Sequence, residues 1–279
     1  MAVITTTRFK LTTLEFGNFK LDGGAMFGVV PRTLWGRYHP PDEFNRIEMA
    51  LRCLLIETEG KRILVDTGFG EGRSERFKEI YAFTGHEDYL DRGLAELGMT
   101  RDDITDVFLT HLHFDHTGGS TINKSSNPSP AFPNALYHLQ RLQLEHARSR
   151  LERDKASYFA EDFEPLVVAG VAILHDGPFT LLPGFDTIIC NGHTPAMQLP
   201  RIRDDGQTFV YGADLIPLSS QFPLPWIMAY DLYPVTTLEE KKNLLPQAVE
   251  EGWTFIFEHD ARIVQGKVIK TEKGFNLAT

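Results

Sequence analysis

The chain has 279 residues, of which 42% are hydrophobic and 24% are charged, and its formal net charge is -10. This length and composition predict one globular domain that spans residues 1–279 and has a sizeable core. The acidic balance argues against a nucleic-acid partner, because phosphate binding requires a basic surface. No apolar run approaches the roughly 20 residues that a membrane helix needs. We therefore predict a cytoplasmic protein that binds neither nucleic acid nor membrane.

Strands and helices are predicted to alternate along the first half of the chain. Apolar runs that end in turn residues predict strands at 8–21, 50–57, 62–66 and 106–109. The spacing of leucines over 90–97 predicts a helix. The apolar segment 25–31, which contains Met26 and Phe27, is either a packed loop or the wall of a hydrophobic pocket.

The second half continues the same pattern. A surface excursion is expected at 121–133, followed by a strand at 134–139 and a charged amphipathic helix over 141–160. Further strands are predicted at 171–175, 179–182, 185–190, 207–212 and 253–257. A helix that begins at 236 or 237 and runs to about 251 is expected to bend or break at Pro246. Cys53 and Cys190 lie in apolar runs, which predicts buried free thiols.

The most informative stretch reads His-Leu-His-Phe-Asp-His at 111–116, directly after the apolar run 106–109. Imidazole nitrogens and carboxylate oxygens are ligands for zinc and its neighbours in the first transition row. One tetrahedral ion does not use all four side chains, so the spacing favours two ions. A histidine-rich surface loop or a closed structural zinc site is the alternative, but structural sites favour cysteine ligands and this motif contains none.

Three later strand ends carry further candidate ligands. His193 follows the strand 185–190, Asp214 follows 207–212, and His259 follows 253–257. With the motif they make a set of seven, in which the Asp214 carboxylate is suited to bridge two ions: His111, His113, Asp115, His116, His193, Asp214 and His259. Asp66, at the end of strand 62–66, is predicted to accept a hydrogen bond from a ligand histidine. His39, His86, His138 and His146 are interpreted as ordinary surface or packing residues.

This ligand pattern resembles the metallo-β-lactamase superfamily, over about residues 51–261. The resemblance implies an α/β fold, a four-layer αβ/βα sandwich of two mixed sheets flanked by helices. It also implies that His111, His113 and His193 hold one metal and that Asp115, His116 and His259 hold the other, with Asp214 between them. The two divalent ions are expected to be zinc, with manganese, iron or cobalt as alternatives.

Within the superfamily, residues 23–31, 111–116 and 228–234 resemble the quorum-quenching N-acyl-homoserine lactonases. This implies a hydrolase in which a metal-bridging hydroxide opens a lactone or similar ester, with Asp214 between the ions and Asp115 passing a proton to the leaving alkoxide. Some such lactonases carry a tyrosine three residues after the bridging aspartate, where this chain has Pro217. The apolar surface for an acyl chain is assigned to four residues, Met26, Phe27, Phe114 and Trp226, although Trp226 fits the core equally well.

Three rival functions are open at this stage. The same fold and metals could cleave phosphotriesters or aryl esters, because the same nucleophile attacks phosphorus. A mononuclear iron dioxygenase acting on persulfides shares the superfamily pattern. A degenerate member that only binds a ligand is the third, and the complete ligand set argues against it. The expected partner is a small-molecule ester or lactone substrate. The sequence leaves a homodimer open, because it does not determine the oligomeric state.

Overall fold

The computed structural model describes residues 1–122 and 127–278, so part of the predicted surface excursion at 121–133 lies outside the described residues. Its strands are β1 (Val3–Thr5), β2 (Lys10–Asp22), β3 (Arg46–Thr58), β4 (Lys61–Val65), β5 (Asp106–Phe108), β6 (Thr121–Ile122), β7 (Ser129–Pro130), β8 (Leu136–Gln140), β9 (Ala172–His175), β10 (Thr180–Leu182), β11 (Phe185–Cys190), β12 (Met197–Asp204), β13 (Gln207–Tyr211), β14 (Thr254–Ile256), β15 (Gln265–Thr271) and β16 (Gly274–Leu277). Its helices are α1 (Gly23–Phe27), α2 (Arg32–Trp35), α3 (Glu75–Tyr81), α4 (Tyr89–Ala95), α5 (Phe114–Thr117), α6 (Arg141–Ser149), α7 (Ala160–Val168) and α8 (Pro234–Glu250).

Two seven-stranded sheets form the framework. The first has the order β1-β2-β3-β4-β5-β8-β9 and the second has the order β10-β11-β12-β13-β14-β15-β16. Both sheets are mixed, because β4, β5, β8 and β9 pair in parallel, as do β13 and β14, whereas the other pairs are antiparallel. The predicted fold of two mixed sheets with helices is thus confirmed.

Successive side chains of the central strands point to opposite faces of the sheet, so the hydrophobic core has two parts. Leu54, Ile56 and Phe108 belong to a cluster that also contains side chains of the second sheet, such as Phe185 and Val210. Their chain neighbours point the other way, into a cluster formed with the helices that cover the first sheet. Successive side chains of a strand face opposite sides, so the central strands are apolar on both faces.

Each predicted strand has a counterpart in the structure, but the predicted single helix over 141–160 is wrong. Helix α6 ends at Ser149 because Arg150 adopts a left-handed conformation with a φ of 52°, and a separate helix, α7, begins only at Ala160. Of the bend or break predicted at Pro246, the break is wrong, since α8 runs through this residue from Pro234 to Glu250. A proline removes one backbone donor, and the packing of Leu245 and Ala248 in the core outweighs that loss.

The cysteines and the lengths of the helices also bear on the sequence predictions. Cys53 and Cys190 are buried free thiols, as predicted. Among the helices of residues 1–122 and 127–278, none combines the length and the apolar character that crossing a membrane requires.

Candidate metal centre

The histidine motif begins in the loop after β5, at the carboxyl end of a parallel strand, and continues into α5, which contains Asp115 and His116. Two glycines follow α5 and pack against the loop after β4. A Cβ atom on Gly118 would lie 2.0 Å from the Phe69 carbonyl oxygen, and one on Gly119 would lie 2.3 Å from that of Thr67. The chain passes so close to its neighbour that a side chain does not fit. This approach explains the Gly-Gly exit of the motif.

Three imidazoles and one carboxylate form a first group of converging donor atoms. His113 Nδ1 lies 3.1 Å from His111 Nε2 and 3.2 Å from His193 Nε2. Asp214 Oδ2 lies 3.0 Å from His193 Nε2 and 3.7 Å from His111 Nε2. The four side chains come from three separate loops, and each is buried.

A second group adjoins the first. His116 Nε2 lies 3.4 Å from His259 Nε2, and Asp115 Oδ2 lies 3.9 Å and 3.8 Å from these two nitrogens. Asp214 contacts this group as well, because its Oδ1 is 3.4 Å from His259 Nε2 and its Oδ2 is 3.6 Å from His116 Nε2. The structure therefore brings together all seven residues that the sequence proposed, with Asp214 between the two groups.

The donor atoms fit two metal ions. Zinc–nitrogen distances of 2.0–2.1 Å in a tetrahedral site place ligand nitrogens about 3.3 Å apart, close to the 3.1 Å and 3.2 Å separations around His113 Nδ1. Asp214 Oδ1 is buried and has no hydrogen-bond partner within the described residues. A buried carboxylate oxygen without a donor is costly, and a cation between the two groups would remove that cost. The site thus fits a dinuclear centre.

A carboxylate and a backbone carbonyl contact those ring nitrogens of His116 and His259 that face away from the converging donor atoms. Asp66 Oδ2 lies 3.0 Å from His116 Nδ1, and Asp66 also accepts hydrogen bonds from the Thr110 amide and hydroxyl, each at 2.7 Å. The Ala50 carbonyl oxygen lies 3.0 Å from His259 Nδ1. Such partners fix the ring orientation and direct the opposite nitrogen towards a metal.

Two residues with this kind of contact were missed in the sequence. Asp231 Oδ1 lies 2.9 Å from His193 Nδ1, while its Oδ2 accepts a 2.7 Å hydrogen bond from the Thr237 hydroxyl. Glu258 Oε2 lies 3.0 Å from His116 Nδ1 and is fully buried. Asp231 lies in the stretch that resembles lactonases, and Glu258 directly precedes His259. Those positions were the only available signals.

The protonation of the site reflects burial and the nearby carboxylates. Burial lowers the pKa of His111 and His113 well below the ordinary value, and neighbouring imidazoles lower it further, which favours the neutral form that binds metals. Burial also opposes a charge on His193, but Asp214 and Asp231 outweigh it and raise the pKa of His193 to about 10. The surplus of negative charge there suits a bound cation.

The backbone is strained at two points of the site. Asp66 has a φ of 57°, and Ala213, directly before Asp214, has a φ of 39°. Residues other than glycine rarely adopt positive φ, and such strain commonly accumulates at functional sites. Here it aims the Asp66 and Asp214 carboxylates into the cluster.

A cavity of about 390 Å³ opens above the converging donors. Met26 and Phe114 line this cavity, together with Leu21, Met49 and Met228. Phe27 does not, because it is fully buried and stacks on Trp35 at a centroid distance of 5.3 Å. Trp226 lines a different cavity. The structure therefore places two of the four residues proposed for the acyl chain beside the candidate centre.

Polar side chains at the cavity were not anticipated from the sequence. Tyr81, Tyr230, Arg153 and Ser157 all border it. Pro217 offers no side-chain donor, and its carbonyl oxygen accepts a 3.3 Å hydrogen bond from the His259 amide. The two tyrosine hydroxyls are therefore the phenolic donors at this cavity within the described chain.

Comparison with known proteins identifies the class. The family model of the metallo-beta-lactamase superfamily matches residues 50–259, which include all seven converging residues. The chain belongs to this superfamily.

Among sequence relatives, an N-acyl homoserine lactonase of Bacillus cereus is 29% identical over 163 residues, covering 55% of this chain and 58% of the relative. The lactonase AiiA of Bacillus thuringiensis subsp. kurstaki is 30% identical over 161 residues, covering 54% and 58%. The chain thus matches less than two thirds of the length of these relatives.

Solved structures match over nearly the whole chain. A probable metal-dependent hydrolase from Staphylococcus aureus is 28% identical with a TM-score of 0.89, and the match covers 99% of both chains. AidC, described as a dizinc quorum-quenching lactonase in complex with a product, is 23% identical with a TM-score of 0.80, covering 99% of this chain and 96% of AidC. The likeness to AidC shows the fold alone.

Proposed function

We propose that the protein hydrolyses the ester bond of a lactone, with an N-acyl-homoserine lactone or a similar ester as the substrate. The observation that carries this proposal is the apolar cavity directly above the two groups of donor atoms, which His113, Asp115, His193, Asp214 and His259 border on one side. Its volume of about 390 Å³ falls within the roughly 300–1,000 Å³ of small-molecule sites. The lactonase relatives support the same substrate class.

The walls of the cavity match the two parts of such a substrate. Leu21, Met26, Met49, Phe114 and Met228 supply apolar surface for an acyl chain. The methionines are flexible and accommodate chains of different shape. Tyr81 and Tyr230 offer hydroxyl donors for the carbonyl groups of the substrate. A polar head near the donors and an apolar tail along the methionines is the arrangement that this cavity favours.

In this proposal His111, His113 and His193 would hold one ion and Asp115, His116 and His259 would hold the other, with Asp214 available to both. When bound, the ions would supply a water that ionises near neutral pH and would polarise the ester carbonyl. Asp66, Asp231 and Glu258 orient the ligand imidazoles. Both sheets contribute donors, so we also propose that residues 1–279 form one catalytic domain.

Asp115 is the proposed proton carrier. It turns Oδ2 towards His116 and His259, which leaves Oδ1 to receive a proton from the attacking water. The water oxygen bonds to the carbonyl carbon, the ring C–O bond breaks, and Asp115 Oδ1 delivers the proton to the leaving alkoxide. The product is a hydroxy acid, which ionises to a carboxylate at neutral pH.

The test is a substrate panel on zinc-loaded protein. We expect acid release from N-hexanoyl-homoserine lactone, followed in a pH-stat, and a loss of at least 100-fold in kcat for Asp115→Asn. Asp88→Asn, which changes an exposed carboxylate without a side-chain capping bond, is the matched control and should retain full activity. Absence of turnover across acyl chain lengths would remove the lactone assignment.

The same panel separates the rival functions. Faster cleavage of paraoxon or of aryl esters than of any lactone would assign the protein to those substrates instead. One iron per chain together with oxygen consumption on a persulfide would assign a dioxygenase. The two adjoining donor groups support a dinuclear centre over a mononuclear one.

A further inference from the structure

A second cavity lies on the other side of α1 from the candidate metal centre. Met26 borders the first cavity, whereas the ring of the next residue, Phe27, packs against His39 and Trp226 at centroid distances of 5.4 Å and 5.6 Å. His39 and Trp226 border the second cavity, which has a volume of about 440 Å³. None of the seven proposed metal ligands borders it. The second cavity is therefore separate from the proposed catalytic one.

Two arginines border this cavity, and neither has an acidic partner within the described residues. Arg37 and Arg262 are both exposed and both border it. Neither forms an ion pair with a carboxylate of residues 1–122 or 127–278, and the Arg262 side chain has only a long 3.4 Å contact with the Tyr38 carbonyl oxygen. By contrast, Arg101 pairs with both Glu71 and Asp91. The positive charge at the second cavity is thus available to a ligand.

Asp260 is the carboxylate that borders this cavity within the described residues, and both of its oxygens already accept hydrogen bonds. Asp260 Oδ2 accepts hydrogen bonds from the Ser219 amide at 3.0 Å and the Ser219 hydroxyl at 2.6 Å. Asp260 Oδ1 accepts from the amides of Arg262 and Ile263, each at 2.9 Å. These neutral donors occupy both oxygens, so Asp260 does not compete for the guanidinium groups. Its buried negative charge does, however, disfavour a ligand with two negative charges.

The rest of the wall combines apolar surface with one polar pair. Tyr38 and Trp226 meet edge to face at 5.6 Å, and Ile263 and Leu277 add aliphatic surface. Ser220 Oγ lies 2.9 Å from His39 Nε2, which places a hydroxyl and an imidazole beside the aromatic rings. A ligand suited to these walls has an apolar body as well as an anionic group.

We propose that the second cavity binds a small monocarboxylate with an aliphatic or aromatic tail. Arg37 and Arg262 contact the carboxylate, because the planar guanidinium matches its two oxygens. Trp226, Tyr38, Ile263 and Leu277 bury the tail. Inorganic phosphate shares the attraction to arginine but has no tail and carries more charge, so it binds more weakly.

Trp226 provides the measurement. Trp35 and Trp253 are fully buried, so Trp226 is the indole at this cavity. Titration of the zinc-loaded protein with hexanoate should produce a saturable change in tryptophan fluorescence, and Trp226→Phe should abolish it. Hexanol and inorganic phosphate should bind at least tenfold more weakly than hexanoate.

Variants separate this cavity from the metal centre, which could itself attract a carboxylate. The double variant Arg37→Gln/Arg262→Gln should weaken hexanoate binding at least tenfold in calorimetry, and Arg92→Gln, an exposed arginine on α4, should not. Ile263→Trp, which narrows the cavity, should also weaken the binding of hexanoate. Thermal melting checks that each variant is folded. Unchanged affinity in the double variant, equal affinity for phosphate, or no hexanoate binding would each overturn the proposal.

Discussion

The contact between Asp231 and His193 gives the most direct test of the candidate metal centre. Asp231 is buried and lies on the far side of the His193 ring, with Oδ1 2.9 Å from Nδ1. Loss of such a partner typically lowers metal affinity by about 10- to 100-fold, which corresponds to about 1.4–2.7 kcal/mol. Asp231→Asn keeps an acceptor for the His193 ring, so its loss of zinc affinity should be close to about 10-fold. Asp231→Ala removes the acceptor, so its loss should be close to about 100-fold.

The assay is a competition between the protein and a zinc chelator of known affinity. Thr237→Val is the matched control, since it removes the hydrogen bond to Asp231 Oδ2 but leaves the contact with His193 in place. Its zinc affinity should change by less than threefold. Thermal melting of the metal-free proteins separates loss of metal from loss of fold. If Asp231→Ala binds zinc as tightly as the unmodified protein, then the proposed role of Asp231 in orienting His193 towards a metal is refuted.

Three other predictions concern stability and specificity. Lys241→Met should lower the free energy of unfolding in urea by about 3 kcal/mol. The reason is that buried Lys241 Nζ donates hydrogen bonds to three carbonyl oxygens. A change below about 1 kcal/mol would contradict this role. Burial and His138 lower the pKa of His175 to about 4 in the folded protein, from the ordinary value of 6.5. The unfolded chain therefore binds this proton more readily, and the free energy of unfolding should fall as the pH falls from about 6.5 towards 4. His175→Phe should reduce that slope in melting curves, and an unchanged slope would exclude His175 as its source. Ala229→Trp should reduce kcat/KM for decanoyl lactones at least tenfold more than for butanoyl lactones, since Ala229 borders the first cavity, and equal losses would place the acyl chain elsewhere.

The proposed ligands could be read from the sequence because each follows an apolar strand. Four of them fall within residues 111–116, and His193, Asp214 and His259 each lie at a strand end. The motif follows β5 of the first sheet, whereas the other three residues follow strands of the second sheet. Ligands bind outside the carboxyl ends of strands in α/β sheets, so residues at these strand ends could be proposed as one site. This rule requires no knowledge of side-chain contacts.

Asp231 and Glu258 could not be found in the same way. Asp231 lies 38 residues after His193 in the sequence, and only the folded loop brings their side chains together. Glu258 contacts His116 across the two halves of the chain. A single carboxylate in a loop is usually a solvated residue, and nothing in its local sequence distinguishes one that supports a ligand.

Errors in the predicted elements have local causes. Strand β12 was missed because it contains Pro200 and alternating arginines, which argue against a strand, yet Pro200 pairs with Thr187 of β11. The predicted helix over 141–160 is too long because Arg150, at which α6 stops, is neither a glycine nor a proline and so gives no stop signal in the sequence. In both cases tertiary packing overrides the local preference of the sequence.

Each seven-stranded sheet is built from one uninterrupted half of the chain. Strands β1 to β9 lie before residue 176, and β10 to β16 lie after residue 179. Two polypeptides divided between these points would each keep a whole set of paired strands. Neither would hold His116 and His259 together, so the proposed hydrolysis, if assayed on the mixture, would report on reassociation of the halves. The proposed metal centre therefore forms only where the two halves meet, and neither half alone contains all of its donor atoms.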